Sequence, residues 1–411
     1  MNKEFDCLMC NYLFENYLEL IGIVISLLGL FYAFMANKHS KITMDKILDN
    51  TEELKYRALE IAKSNTPDTE LTQEEKKTIE EYDKINKKPR TAEEWFLKGF
   101  ALDNKQDYET KIKCYQKAIK LKPNFAEAYN NMGVAYVEGM QDYDTAIKCY
   151  QKAIELEPDY ADTYYNVGNA YVKGKQNYDP AINYYQRAIE LNSNYSGAYN
   201  NMGTAYSGKQ DYDTAIKCYQ KAIELKSDYA DAYYNMGNAY LNKQDYDTAV
   251  NYYQKATELK PDFADAYYNM GTSYLNKQNY DIAIKCYQKT IKLKPNFAEA
   301  YSNMGVAHVE WTQDYNTAIK CYQKAINLEP DYADTYYNMG NAYLNKQNYD
   351  TAINYYQKAI ELKPDFAKAY NNMGMAYGNK GNEKIGIDCV TKAAELGFEP
   401  AKQWLKDNNI V

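Results

Sequence analysis

ADAYYNMGNAYLNKQDYDTAVNYYQKATELKPDF, residues 230–263, sets the fold. Its small and apolar residues return every three or four positions in two stretches, the period of an amphipathic helix. Polar Asn242-Lys243-Gln244 separates the stretches, and Pro261 closes the second because it lacks the N–H that would continue a helix. The unit recurs. Its glycine returns as Gly99, Gly133, Gly168, Gly203, Gly237, Gly271, Gly305, Gly340 and Gly374, at spacings of 34, 35, 35, 34, 34, 34, 35 and 34. Nine helix–turn–helix units therefore span residues 92–398.

The unit resembles the tetratricopeptide repeat, with Tyr233, Met236, Gly237, Tyr240, Ala249, Tyr253, Ala256 and Pro261 on the family's pattern. The resemblance implies an all-α fold, a right-handed α-solenoid of about nine repeats. Departures are few: Lys111 and Thr290 replace small alanines, Ser193 and Ser227 stand at the closing proline, and His308 replaces a tyrosine. The ninth repeat carries Gly386 and Val390 at two pattern positions. Residues 399–411, with Trp404, read as the terminal cap that such arrays need.

With the marker glycine as position 8, positions 4, 7, 8 and 11 are expected on the buried stripe of the first helix. The glycine admits a close neighbour there. A unit of this size buries little alone, so stability has to come from stacking. Positions 2, 6, 9 and 13 then lie opposite, on the face that becomes the concave groove in tetratricopeptide arrays. Position 6 is asparagine in eight repeats: Asn131, Asn166, Asn201, Asn235, Asn269, Asn303, Asn338 and Asn372, with Leu97 the exception. Mid-helix asparagine costs roughly 0.5 kcal/mol relative to alanine. A carboxamide both donates and accepts, so a ladder of them suits the backbone of an extended peptide. Similar ladders in the O-GlcNAc transferase type of array hold extended protein segments.

Around the ladder stand Asn169, Asn238 and Asn341 at position 9 and Tyr165, Tyr234, Tyr268 and Tyr337 at position 5. Position 2 gives an acidic rim, Asp231 and Asp265 among it, that favours a partner with some Lys or Arg. The Lys and Arg that grip chaperone tails in related arrays are missing, since position 5 is never basic and position 2 only at Lys368. The alternative is that the asparagines bond to neighbouring helices. Residues 113–136 nearly repeat as 285–308, so the eight positions descend in part from one copied block of five repeats.

The chain has 411 residues with 47 Tyr and only 2 His, and the repeat slots absorb most of the tyrosines as packing. A net charge of −8 argues against nucleic-acid binding. His39 and His308 leave little for hydrolytic or histidine–metal chemistry, and no unique acid–base–nucleophile cluster appears, so no enzyme and no cofactor are expected. Cys114, Cys149, Cys218, Cys286, Cys321 and Cys389 share position 23 with Tyr184, Tyr252 and Tyr355 (the extra residue of the long repeats not counted), which marks a filler slot rather than a metal site. Cys7 and Cys10 form a lone CxxC with no second pair.

Residues 20–36, LIGIVISLLGLFYAFMA, carry no charge. At about 1.5 Å per residue they span roughly 26 Å, close to the ~30 Å hydrocarbon core, and read as a transmembrane helix. Lys38, Lys41 and Lys46 follow an acidic N-terminus, residues 1–19, which places that end outside and the repeats in the cytoplasm. Gly22, Ser26, Gly29, Ala33 and Ala36 form a small-residue stripe suited to a homodimer through this helix. Residues 37–91 read as a helical linker with a capping helix near 70–86. The functional expectation is a single-pass, membrane-anchored adaptor that binds an extended protein segment in its groove. The alternative is a self-assembling scaffold.

Overall fold

The computed structural model describes residues 91–102, 107–408 and 410. The linker, its capping helix, the 20–36 span and Cys7-Cys10 lie outside them. Among the described residues every regular element is helical, and none is long and apolar enough to cross a membrane. The chain divides into two compact units at Met140/Gln141.

In the first unit α1 (Ala92–Ala101) packs on α2 (Tyr108–Leu121), which packs on α3 (Ala126–Ala135). Thr91 starts α1 with a reciprocal cap: its hydroxyl accepts from the Glu94 N–H while the Glu94 carboxylate accepts from the Thr91 N–H. Helix α3 runs into a π-turn, Tyr136–Met140. This is how the second repeat absorbs the extra residue that makes it 35 long, since an inserted residue widens one turn of an α-helix into π. Gly139 sits there against the Tyr108 ring, where a Cβ would fall 2.2 Å from the nearest ring carbon.

The second unit holds α4 (Tyr143–Leu156), then seven hairpins and a final helix. The hairpins are α5/α6 (Ala161–Lys175, Tyr178–Leu191), α7/α8 (Ser196–Gly208, Tyr212–Leu225), α9/α10 (Ala230–Asn242, Tyr246–Leu259) and α11/α12 (Ala264–Asn276, Tyr280–Leu293). They continue as α13/α14 (Ala298–Thr312, Tyr315–Leu328), α15/α16 (Ala333–Asn345, Tyr349–Leu362) and α17/α18 (Ala367–Asn379, Glu383–Glu395). Helix α19 (Glu399–Asp407) follows. Each helix packs on the next, and first helices of successive repeats also touch. Second helices of successive repeats touch less than first helices do. The two other long repeats lengthen α5 and α13 to 15 residues instead of adding a π-turn.

The core of each repeat is one tyrosine over one glycine. Tyr253 is fully buried, and a Cβ at Gly237 would meet its ring at 2.6 Å; Tyr185, Tyr219, Tyr287, Tyr322 and Tyr356 cover their own glycines in the same way. In the ninth repeat Val390 and Gly386 replace the ring and its neighbouring alanine. There the helices close until Gly374 and Gly386 meet each other's backbone carbonyls. Position 8 is buried throughout and position 7 in all repeats but the first and seventh, whereas positions 4 and 11 are not: Tyr233 and Tyr240 are half-buried, and Ala232 and Ala239 take the deepest places. A tyrosine hydroxyl needs water or a partner, so the rings settle at the edge of the stripe while alanine methyls fill its centre. Thr290, a departure from alanine, is tolerated because its hydroxyl bonds the Cys286 carbonyl at 3.1 Å.

The hairpin turns share one design. Asp245 N–H donates to the Tyr240 carbonyl and Gln244 N–H to Leu241, which closes α9, while the Asp245 carboxylate accepts from the Thr248 N–H and opens α10. One residue thus ends a helix and begins the next. The closure needs a left-handed residue between them. Gln176, Gln210, Gln244, Gln278, Gln313 and Gln347 all take positive φ for it, and Gly381 serves in the ninth repeat.

Candidate functional site

The position-6 asparagines line the first-helix side of the second unit, half-buried from Asn166 to Asn372. Their amide nitrogens reach the preceding repeat. Asn201 Nδ2 donates to Tyr165 Oη at 3.0 Å and to Asn169 Oδ1 at 2.8 Å. Asn269 repeats this with Tyr234 at 3.1 Å and Asn238 at 2.8 Å, and Asn372 with Tyr337 at 3.2 Å and Asn341 at 2.9 Å. The position-9 oxygens also accept from the core tyrosines Tyr185, Tyr253 and Tyr356, each at 2.8 Å. Asparagine, tyrosine and core ring form one polar seam between repeats.

Where position 5 or 9 changes, the seam thins. Asn235 keeps one bond, to Asn200 at 3.0 Å, because Thr204 stands at position 9. Asn303 keeps Tyr268 at 3.0 Å beside Thr272. Asn338 faces a repeat with Ser302 and Val306 at those positions, and makes no hydrogen bond among the described residues. In the first unit Asn131 Nδ2 is buried without a partner, and the same two positions of the repeat before it are Phe96 and Phe100, neither of which can accept.

Asn201, Asn235, Asn269, Asn303 and Asn372 therefore bond neighbouring helices, as in the second of the two readings left open by the sequence. They do not use every atom to do so. Asn269 engages only its nitrogen and Asn338 neither atom among the described residues, and both are half-buried on the first-helix face. A carboxamide with both halves unengaged, such as that of Asn338, can accept from and donate to one peptide unit.

The position-5 tyrosines, which the sequence places beside the ladder as flat apolar contacts, are packed within their own repeats. Tyr165 lies 4.9 Å from Tyr195 and 5.9 Å from Tyr185, and Tyr234 lies 4.7 Å from Phe263 and 6.0 Å from Tyr253. Tyr268 and Tyr337 pack likewise, against Phe297 and Phe366. Each ring is held between two others of its own repeat, with the hydroxyl as acceptor. On the rim, Asp231 and Asp334 are exposed and Asp265 and Glu299 half-buried. Burial pushes the Asp162 carboxyl up, partly offset by a bond from Tyr195. Burial also raises the slot cysteines, Cys149, Cys218 and Cys321 to about 11 and Cys286 to about 12, which leaves them as thiols. No group of three or more His, Cys, Asp or Glu among the described residues is placed to hold a metal.

The TPR repeat family model matches residues 104–138, 140–174, 206–244, 237–278 and 312–347, and further tetratricopeptide repeat models match 161–195, 184–217, 264–297, 333–366 and 355–385. The chain belongs to the tetratricopeptide repeat family. Tetratricopeptide arrays are protein-interaction scaffolds and are generally not catalysts. Among solved structures, the MamA protein is 32% identical over 42% of this chain and 94% of its own, with a TM-score of 0.38. YrrB, described as a TPR protein with an unusual peptide-binding site, is 29% identical over 45% of this chain and 95% of its own, with a TM-score of 0.39. The C-terminal part of a TPR repeat-containing protein from Cytophaga hutchinsonii is 20% identical over 59% and 98%, with a TM-score of 0.48. Comparison with curated proteins gives no match.

Proposed function

We propose that this tetratricopeptide protein is a membrane-anchored adaptor that holds an extended segment of a protein partner along the first-helix face of residues 141–411. The observation that carries the reading is the remaining hydrogen-bonding capacity of the asparagine seam. Asn269 Oδ1 and both halves of Asn338 are left on a half-buried helix face, without a hydrogen bond among the described residues. An extended backbone offers matching donors and acceptors, and the exposed Asp231 and Asp334 favour basic side chains in the segment.

A peptide library displayed against the full-length protein tests this. The wild type should enrich extended sequences with Lys or Arg. Asn338→Ala, which breaks no internal bond, should weaken the enriched peptides about tenfold, as loss of a buried hydrogen-bond partner does. Unchanged affinity in Asn338→Ala together with Asp231→Asn and Asp334→Asn would remove the groove from consideration. Triple replacement of Asn235, Asn269 and Asn303 is a poorer test, because it also cuts the ties between repeats.

The anchor in this reading is the uncharged 20–36 span, supported by its length and by Lys38, Lys41 and Lys46 behind it. Protease treatment of intact and then permeabilised cells checks the topology: the repeats should be cut only after permeabilisation. Release of the protein by alkaline carbonate would exclude the anchor. A concentration-dependent mass for the solubilised protein would favour the self-assembling alternative.

A further inference from the structure

We propose that the array flexes at one joint, between α14 and α15, where the seventh repeat meets the eighth. Two ties cross the other junctions from α6/α7 onward, each of which keeps at least one of them, and this junction lacks both.

The first tie is the asparagine seam. Asn201, Asn269 and Asn372 each make two bonds to the preceding repeat, and Asn235 and Asn303 one. Asn338 makes none among the described residues, because Ser302 and Val306 replace its acceptors. The second tie is a row of ion pairs at the hairpin turns. Lys175 pairs with Asp144 at 2.6 Å, and Lys209 with Asp179, Lys243 with Asp213, Lys277 with Asp247 and Lys380 with Asp350 continue the row. At the seventh repeat the row stops. At α12/α13 Thr312 replaces the lysine and Asp281 turns back to Lys285 on its own helix, and at α14/α15 Lys346 finds only the neutral Asn316, at 2.7 Å. Inside the repeats the packing changes as well: Tyr195, Phe263, Phe297 and Phe366 each rest on the position-5 tyrosine of their own repeat, but Tyr332 has Ser302 there, as Tyr229 has Asn200.

Besides Lys346–Asn316, what crosses this junction is short. Thr335 Oγ1 donates to Ser302 Oγ at 3.1 Å, and both residues are buried. The exchange is volumetric: after Tyr234, Tyr268 and Tyr337 the facing residue is Ala266, Ala300 or Ala369, whereas the small Ser302 is met by the larger Thr335. The contact is filled, so the joint stays folded. Its two hydroxyls sit between a seam and an ion-pair row that are both interrupted, and so act as a pivot. Movement there changes the distance between Asn303 and Asn338 while the repeats on either side keep their geometry.

Hydrogen exchange on the full-length protein tests the joint. Amides flanking the α14/α15 contact should exchange about tenfold faster than those flanking α10/α11, the factor expected from one to two missing hydrogen bonds. They should also exchange faster than those flanking α16/α17, although that junction is nearer the end of the chain. This second comparison separates a joint from fraying. The combined replacement Ser302→Tyr, Val306→Asn and Thr335→Ala installs the acceptors and the room for them, and should remove the difference. The converse set, Tyr234→Ser, Asn238→Val and Ala266→Thr, should create a second fast junction at α10/α11. Equal protection at the three wild-type junctions would overturn the proposal. So would fast exchange at α14/α15 that persists in a repaired variant of unchanged helicity; should that variant fail to fold, no new fast junction in the converse set would overturn it equally.

Discussion

Asn269 and Asn338 occupy the same place in the sixth and eighth repeats, yet only the first is wired to its neighbour. Asn269→Ala removes two bonds at a half-buried site and should destabilise the protein by roughly 1–3 kcal/mol. Asn338→Ala removes none and should change stability by less than about 0.5 kcal/mol, the range of substitutions away from special contacts. Paired denaturant titrations check both, with equal midpoints as the adverse result. The ladder itself was legible from sequence because its period is that of the glycine. Its wiring was not, because each bond joins residues more than 30 positions apart and depends on how closely two repeats stack. For the same reason the position-5 tyrosines read as contacts for a partner, although the phenylalanine or tyrosine that covers each one lies 29 residues on, or 30 in the long third repeat.

At the scale of the element, the hairpin turns store strain that can be relieved. A left-handed conformation costs a residue with a Cβ roughly 1–2 kcal/mol, and seven glutamines of the second unit, Gln141 included, adopt it. Gly381 shows that glycine fits the place. Gln278→Gly should therefore stabilise by about 1 kcal/mol after its greater unfolded-state freedom is deducted, read as a higher unfolding midpoint. The caps beside these turns give a pH response. Bonds from Thr110, Thr145, Thr214 and Thr317 hold the carboxyls of Asp107, Asp142, Asp211 and Asp314 below their ordinary values. A lowered folded value means stability that is complete above the usual aspartate range, about 3.9, and lost as pH falls through the folded value. Melting temperature should accordingly stay level from neutrality to about pH 5 and drop below about pH 4. Asp211→Asn should fold and show a shallower drop, since Asn348 already caps Thr351 without a charge. An unchanged acid limb would assign the response to other carboxylates. The turn was recognisable in sequence as a polar break; its handedness was not, because glutamine has no special preference for positive φ.

For the molecule as a whole, the repeat period gave the number and order of helices, since each one obeys its own amphipathic pattern. The one-residue insertions were visible as spacings of 35, but their outcome depended on context: a π-turn at Tyr136–Met140, longer helices at α5 and α13. A stacked array also has ends that must be covered. Phe398, Ala401 and Leu405 close over Val390 and Ala393, so truncation before Phe398 should uncover that cluster. Loss of hydrogen-exchange protection should then begin in α18 and decline inward, as expected for repeats coupled mainly to their neighbours; uniform protection loss would indicate a single cooperative block. The cysteine slot offers a way to watch this happen. Cys149, Cys218, Cys286 and Cys321 are buried thiols in four different repeats, too protonated and too covered to alkylate in the folded chain. A pulse of alkylating reagent during unfolding should therefore mark each repeat at the moment it opens, and peptide masses would give the order. The protein carries its own set of stopwatches, one per cysteine-bearing repeat, with the tyrosine-bearing repeats between them silent.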